Sequence, residues 1–299
     1  MILEERLGGQ EILNAGVDGK NGQTSEGAAA VRDASSDTET LTDQGHGIVL
    51  EGIGLSYRGG KVLKQALDDI NMKLEPGELV VVLGPSGCGK TSLLNIIAGY
   101  LRPTRGTITI NGQRHTAPDS DVGVVFQQAN LFPWLSLARN IEFGLRMKGM
   151  PKARRKERVA YFLEMMGLTS SAGLLPHQLS GGMKQRAAIA RTLAAEPEIV
   201  LLDEPFSALD ALTRENMQAH LRQIWSRTGK CMFFITHDVD EALLLASRLV
   251  VMHPGPGRIV EDFANPLTTG DTQRSFGEIR ASQEYAVLRQ FLVSRIGGY

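Results

Sequence analysis

The sequence predicts an α/β fold with a mainly parallel sheet core. Leu79–Leu83 (LVVVL) is a short, unbroken apolar run, the mark of a strand buried on both faces. A glycine-rich turn follows it directly, and a helical pattern begins near Lys90. From Ile199 to Met252 apolar runs alternate with helical stretches, which implies parallel strands joined by helices that cover both sheet faces.

Along the chain, residues 1–47 are rich in Gly, Ala, Ser, Thr, Asp and Glu and hold few large apolar side chains. Such a segment buries too little surface to offset its ordering entropy and reads as a disordered acidic tail. Ile48–Tyr57 and Ile70–Leu74 read as strands of a small antiparallel β subdomain. Thr107–Ile110 alternates like a further strand and ends at Asn111-Gly112, a strong turn signal. Leu137 to about Gly167 is mostly helical, with a basic stretch at Lys152–Arg158, so about 128–180 forms a helical subdomain. Then come a helix at Gly181–Ala195, a strand at Ile199–Leu202 and a helix at Leu212–Thr228. Strand, helix and strand follow at Met232–Thr236, Val239–Ala246 and Leu249–Met252. The main domain thus spans 48–265, and 266–299 form a C-terminal tail with a terminal helix at Ser282–Ile296.

The 299 residues fit one large α/β domain or two small ones, and a hydrophobic content of 42% suffices for a substantial core. A net charge of -1 gives no overall field for nucleic acid or an anionic membrane. Cys88 and Cys231 are too few for a disulfide framework or a zinc site, which suits a reducing compartment. The start MILEERLGGQ lacks the basic and apolar regions of a secretory signal. No stretch approaches the roughly 20 apolar residues that span a bilayer. Any membrane role is therefore expected from the cytoplasm, through a partner.

Gly84-Pro85-Ser86-Gly87-Cys88-Gly89-Lys90-Thr91 matches G-x-x-x-x-G-K-[ST], between a buried strand and a helix. The glycines let successive N–H groups face one anion, and the helix N-terminus adds its positive end. Lys90 is expected to neutralise the β- and γ-phosphates, Thr91 to ligate Mg²⁺, and Ser92 to hydrogen-bond the phosphates. Triphosphate binding follows, of the kind that kinases, GTPases and motors share. Cys88 reads first as a small residue fitting a tight loop; the competing reading, from the fall of thiol pKa at a helix start, is a thiol whose oxidation blocks nucleotide binding.

Val200-Leu201-Leu202-Asp203-Glu204 is an apolar strand ending in two acids, at the end where parallel sheets bind ligands. Asp203 is expected in the Mg²⁺ shell, and Glu204 as the base that polarises the attacking water.

Leu179-Ser180-Gly181-Gly182-Met183-Lys184-Gln185-Arg186 reads either as an ordinary N-capped helix start or as a second phosphate-binding N-terminus, with Ser180, Gly181 and Gly182 on the phosphate. LSGGMKQR resembles the signature of ATP-binding-cassette (ABC) proteins, which are P-loop NTPases, and the rest of that family's set follows in order. Tyr57 resembles the aromatic that stacks on adenine. Position alone leaves Gln127 and Gln128 open, but the family's Gln after Val-Phe picks Gln127, which contacts Mg²⁺ and senses the transporter subunit. Ser207-Ala208-Leu209-Asp210 resembles the loop that crosses between protomers, so Asp210 is assigned to the nucleotide interface. His237 resembles the switch histidine that reaches the γ-phosphate. The hydroxyls after Lys90 run Thr-Ser where many members have Ser-Thr, and both supply an oxygen. The resemblance, over about Ile48–Asn265, implies an ATP-hydrolysing subunit. Two copies would sandwich two ATP head to tail, in contact with membrane permease subunits.

The subclass rests on further features. There is one cassette, no long coiled-coil insertion, and a tail too short for the regulatory β-domain of sugar and polyamine importers. Phe132-Pro133-Trp134, the stretch Asp203–Arg214 and Gly255–Ile259 resemble the nitrate, sulfonate and taurine importer branch. That implies a peripheral position on the cytoplasmic face of a bacterial inner membrane, and an extracytoplasmic solute-binding protein. A taurine-like sulfonate or nitrate is the implied cargo. A cytosolic ATPase on nucleic acid or ribosomes would instead call for a basic stripe with interleaved aromatics, and aromatics are 6% here. A nucleotide sensor would lack Glu204 or His237, and an exporter half usually carries fused membrane helices.

Overall fold

The computed structural model describes residues 47–59, 62–268 and 274–297; the acidic tail expected over 1–47 lies, apart from Gly47, outside them. The strands are β1 (Ile48–Gly59), β2 (Val62–Leu74), β3 (Leu79–Leu83), β4 (Arg105–Ile110) and β5 (Gln113–Arg114). They continue with β6 (Val122–Val125), β7 (Ile199–Asp203), β8 (Cys231–Ile235), β9 (Arg248–His253) and β10 (Arg258–Ala264). The helices are α1 (Lys90–Ile97), α2 (Leu137–Met147), α3 (Lys152–Met165) and α4 (Gly181–Ala194). After them come α5 (Ala211–Thr228), α6 (Val239–Leu245), α7 (Phe276–Arg280) and α8 (Gln283–Gly297).

One sheet is antiparallel, in the order β2-β1-β4-β5; the other runs β10-β9-β3-β8-β7-β6. Within the second, β9, β3, β8, β7 and β6 are mutually parallel and only β10 is antiparallel. The all-buried runs of β3, β7 and β8 are those of strands covered on both faces. Period-two alternation divides the core. Leu79, Val81 and Leu83 join the helices α2–α6 and α8 on one face. Val80 and Val82 join α1 and the antiparallel sheet on the other.

The chain departs from the sequence reading in several places, among them the unpredicted β5 and α7. β2 starts at Val62 rather than Ile70: Leu63, Lys64 and Gln65 form an exposed hairpin arm paired to β1, and their mixed sequence shows no strand period. β6 is four residues long, VGVV, and Gly123 is required there because a Cβ would lie 2.6 Å from the Pro197 side chain. β10 alternates exposed and half-buried residues as an edge strand does, and its charges hid it. The helical stretch from Leu137 breaks between α2 and α3, where Gly149 adopts φ 72° and Pro151 precedes the new helix.

Candidate active site

The cradle joins β3 to α1. Gly87 and Gly89 take φ of 82° and 96°, left-handed values that L side chains rarely adopt. Gly84 leaves no room for a side chain: a Cβ would lie 2.3 Å from the Met252 carbonyl oxygen. Ser86 is exposed, and Cys88 N–H closes the turn on the Pro85 carbonyl at 3.4 Å. Lys90 is 7% exposed, and its ammonium donates to the carbonyls of Gly84 (2.6 Å) and Pro85 (3.1 Å).

The low thiol pKa of the competing reading of Cys88 is overturned. Its side chain is fully buried, and that burial raises the pKa, although the Lys90 charge pulls the other way. The tight-loop reading fits instead. Behind the loop lies Gly257, where a Cβ would meet the Cys88 carbonyl at 2.2 Å. Its N–H donates to Ala66 (3.0 Å) and its carbonyl accepts from Asp68 N–H (3.0 Å), so it ties the cradle to β2. The sequence reading quoted Gly257 only as a mark of the branch.

Thr91 Oγ1 donates to Asp203 Oδ1 at 3.4 Å, across from α1 to the end of β7. Burial is the main force raising the Asp203 pKa, aided by Glu204 and opposed by Thr91 and Lys90. Glu204 follows in the left-handed region, φ 43°, with its N–H bonded to the Ile235 carbonyl of β8 (3.0 Å). A non-glycine residue held there stores of the order of 1–3 kcal/mol of strain, a frequent feature of active sites. Its two carboxylate oxygens are held separately: Gln127 Nε2 donates to Oε2 (3.2 Å), and His237 Nδ1 lies 3.1 Å from Oε1. Gln127 and His237 follow β6 and β8, so three neighbouring parallel strands deliver these side chains to one end of the sheet. Tyr57, on β1, reaches Ser92 of α1 through their hydroxyls (3.1 Å).

Ser180, Gly181, Gly182 and Asp210 are not brought to the cradle. Ser180 caps α4 by accepting from Met183 N–H (3.2 Å), and Asp210 caps α5 by accepting from Thr213 N–H (3.0 Å). That backbone bond is also the main reason the Asp210 carboxyl lies below its ordinary range. The two segments touch each other: a Cβ on Gly182 would lie 3.2 Å from Leu209 Cδ2. Among the described residues neither Ser180 nor Asp210 hydrogen-bonds to the cradle, whereas Ser207 of the Asp210 loop donates its hydroxyl to the Glu204 carbonyl (2.9 Å).

The structure adds two links that the sequence reading missed. Gln185 of α4 donates to the Phe126 carbonyl, one residue before Gln127 (3.1 Å). Arg214 of α5 donates to the Leu209 carbonyl (3.0 Å) and lies 4.0 Å from the Asp238 carboxylate beside His237. Arginine spacing in a helix carries no signal for such a link.

Phosphate cradle, paired acids and histidine loop on adjacent parallel strands define a P-loop ATPase. The ABC transporter family profile matches residues 67–207. The chain is 47% identical over 232 residues to the taurine import ATP-binding protein TauB of Roseobacter denitrificans, covering 78% of this chain and 87% of that one. It is 48% identical over 250 residues to the TauB of Pseudomonas aeruginosa, covering 82% and 94%. Among solved structures it resembles the dimeric ATP-binding cassette MJ0796 in a post-hydrolysis state bound to ADP and Pi. The TM-score is 0.67 at 34% identity, with 73% of this chain and 98% of that chain covered. The chain belongs to the ABC transporter family, as an ATP-hydrolysing ATP-binding subunit. Among the described residues no helix is long and apolar enough to cross a membrane.

Proposed function

We propose that this chain powers the import of a small sulfonate of the taurine type, with nitrate as the alternative cargo. Two copies would work head to tail, sandwiching two ATP beneath membrane permease subunits at the cytoplasmic face of a bacterial inner membrane. A solute-binding protein outside would deliver the cargo. The similarity to taurine import proteins supports the cargo. One observation carries the chemistry: Glu204 is held by Gln127 on one oxygen and His237 on the other.

In this reading Tyr57 stacks on the adenine, and the backbone N–H groups of residues 84–89 surround the phosphates. Lys90 exchanges its loop carbonyls for the β- and γ-phosphates, and Ser92 adds a hydrogen bond. Glu204 orients the attacking water and takes its proton, and His237 contacts the γ-phosphate. Ser180 and the amides of Gly181 and Gly182 close on the ATP of the other copy, with Asp210 at the crossing. Their separation from the cradle within one chain agrees with that division.

The donor set fits a hard divalent cation. The Thr91 hydroxyl and the Asp203 carboxylate meet at the cradle, and the Gln127 carboxamide follows the neighbouring strand. Among the described residues no cluster of three His, Cys, Asp or Glu side chains could hold a metal by itself. That suits Mg²⁺, which shares its shell with substrate phosphates. When bound, Mg²⁺ would neutralise charge developing on the β- and γ-phosphate oxygens.

An apolar surface beside Gln127 supports the permease contact. Trp134 is 73% exposed. Phe132 packs on Trp134 and Phe143 with centroids 5.7 and 4.6 Å apart, while Arg191 lies over the Phe132 ring. Exposed aromatics with an arginine are the composition of interface cores. The decisive experiment is affinity purification of the Glu204→Gln protein from native membranes with ATP and Mg²⁺. Permease and solute-binding protein are the expected companions, and ribosomes or nucleic acid would overturn the transport reading.

A further inference from the structure

We propose that the C-terminal helix α8 is part of the hydrolytic machinery: Tyr285 and Arg289 are positioning residues that hold Asp240, and through it the turn bearing His237. The inference rests on the reading of His237 given above. α6 is only seven residues long, and its first turn is one unit with the histidine loop. Asp238 accepts from the N–H groups of Asp240 (2.9 Å) and Glu241 (3.1 Å), while its own N–H donates to Thr236 Oγ1 (3.0 Å). A rotation of α6 therefore carries His237 with it.

The second half of α6 is seated by its buried residues Ala242–Leu245 and by Asn265, which donates to the Leu243 and Ala246 carbonyls (3.0 and 2.8 Å); its first turn is held from both sides. Toward α5, Gln218 donates to the buried Glu241 (3.0 Å). Toward α8, the Asp240 carboxylate accepts from the Tyr285 hydroxyl (2.7 Å) and from Arg289 Nε (2.6 Å) and Nη2 (3.4 Å). Both come from a single helix more than forty residues away in sequence, so a short helix is referenced to a longer one. α8 does not depend on Asp240 for its seat. Leu288 and Leu292 are buried, Phe291 packs edge-on to Phe263, Arg295 pairs with Glu261 (2.9 Å), and the Arg295 carbonyl bonds His253 (2.8 Å). Cutting the Asp240 link thus leaves both helices docked and loosens only the first turn of α6, which carries His237. Directly ahead of α8, Arg280 of α7 pairs with Glu215 of α5 (2.6 Å), so the same C-terminal segment also touches the helix that Asp210 caps.

The test uses the full chain with Tyr285→Phe, Arg289→Met and the two combined, and Arg289→Lys as the conservative variant. Readouts are kcat and KM for ATP, the thermal midpoint, and the NMR resonance of the His237 ring. The combined variant is expected to lose of the order of tenfold in kcat, about 1.4 kcal/mol of barrier. KM should stay near wild type and the thermal midpoint should fall by only a few degrees at most, while the His237 resonance should shift and Arg289→Lys should recover most of the rate. Wild-type kcat, or an unmoved His237 resonance, would overturn the proposal. If the combined variant fails to fold, Tyr285→Phe, which removes one hydroxyl, decides by the same criteria. His237→Ala separates the two readings. Full hydrolysis by that variant sinks the role of His237 itself, whereas an inactive His237→Ala beside a fully active combined variant sinks only α8.

Discussion

Glu204 occupies a backbone conformation that costs energy, and its N–H is tied to β8 so that the cost is met by the sheet. Replacing it by Gln keeps volume and hydrogen-bonding reach but removes the base. The variant should bind ATP with wild-type affinity and release phosphate at least a hundredfold more slowly, as removal of a general base does; phosphate release and nucleotide binding measured together check this. Gly257 is the structural counterpart. Gly257→Ala sets a methyl 2.2 Å from the Cys88 carbonyl, so either the cradle or β2 must shift. Overpacking of this kind costs about 1–3 kcal/mol, and the expected result is a lowered thermal midpoint together with weaker nucleotide binding. A midpoint shift with unchanged binding would show that β2 yields and the cradle does not. Cys88, buried with a raised thiol pKa, should resist iodoacetamide at neutral pH in the folded protein and react once unfolded; mass spectrometry reads both.

At the scale of elements, the parallel strands were legible because burial on both faces demands unbroken apolar runs, as in Leu79–Leu83 and Ile199–Asp203. The first half of β2, and β10, were not legible, since they are antiparallel pairs whose residues alternate between half-buried and exposed or lie exposed in a hairpin arm, with charges among them. The terminal helix was found within a residue at each end from its pattern. Its ties to Asp240 were not, because a tyrosine and an arginine on a helix announce no partner. Those ties have a pH signature. Burial draws Asp240 up, but hydrogen bonds from Arg289 and Tyr285 outweigh it and leave the carboxyl below its ordinary range. Its stabilising share is therefore complete above the unfolded value near ~4 and is lost as pH falls through the lower folded value. Burial and then Asp240 push Tyr285 up to about 12, so its share is complete below the unfolded value of ~10 and fades as pH rises through about 12. Ultraviolet titration should show a tyrosinate component near pH 12 that vanishes in Tyr285→Phe.

At the scale of the whole molecule, the site residues divide into those one chain assembles and those it holds apart. Motif order alone grouped them all, and spacing could not say that Ser180 and Asp210 stand away from the cradle while touching each other's segments. Ser180→Arg places a cation where the proposed second copy presents its ATP. Nucleotide binding to the single chain should persist, and the ATP-dependent dimer of the Glu204→Gln background should disappear from size-exclusion profiles. A dimer that survives would show that the signature does not close on a partner. The edge position of β6 bears on how such an assembly is driven. Lys90 and Asp203 grow from strands with a neighbour on each side, but Gln127 follows a strand paired on one side only. A load applied at the proposed permease-facing surface beyond it would meet the sheet at one of its two edges. The Gln185 bond to the Phe126 carbonyl ties α4 to that same margin, so a load arriving there would reach Gln127 and α4 together before the phosphate cradle.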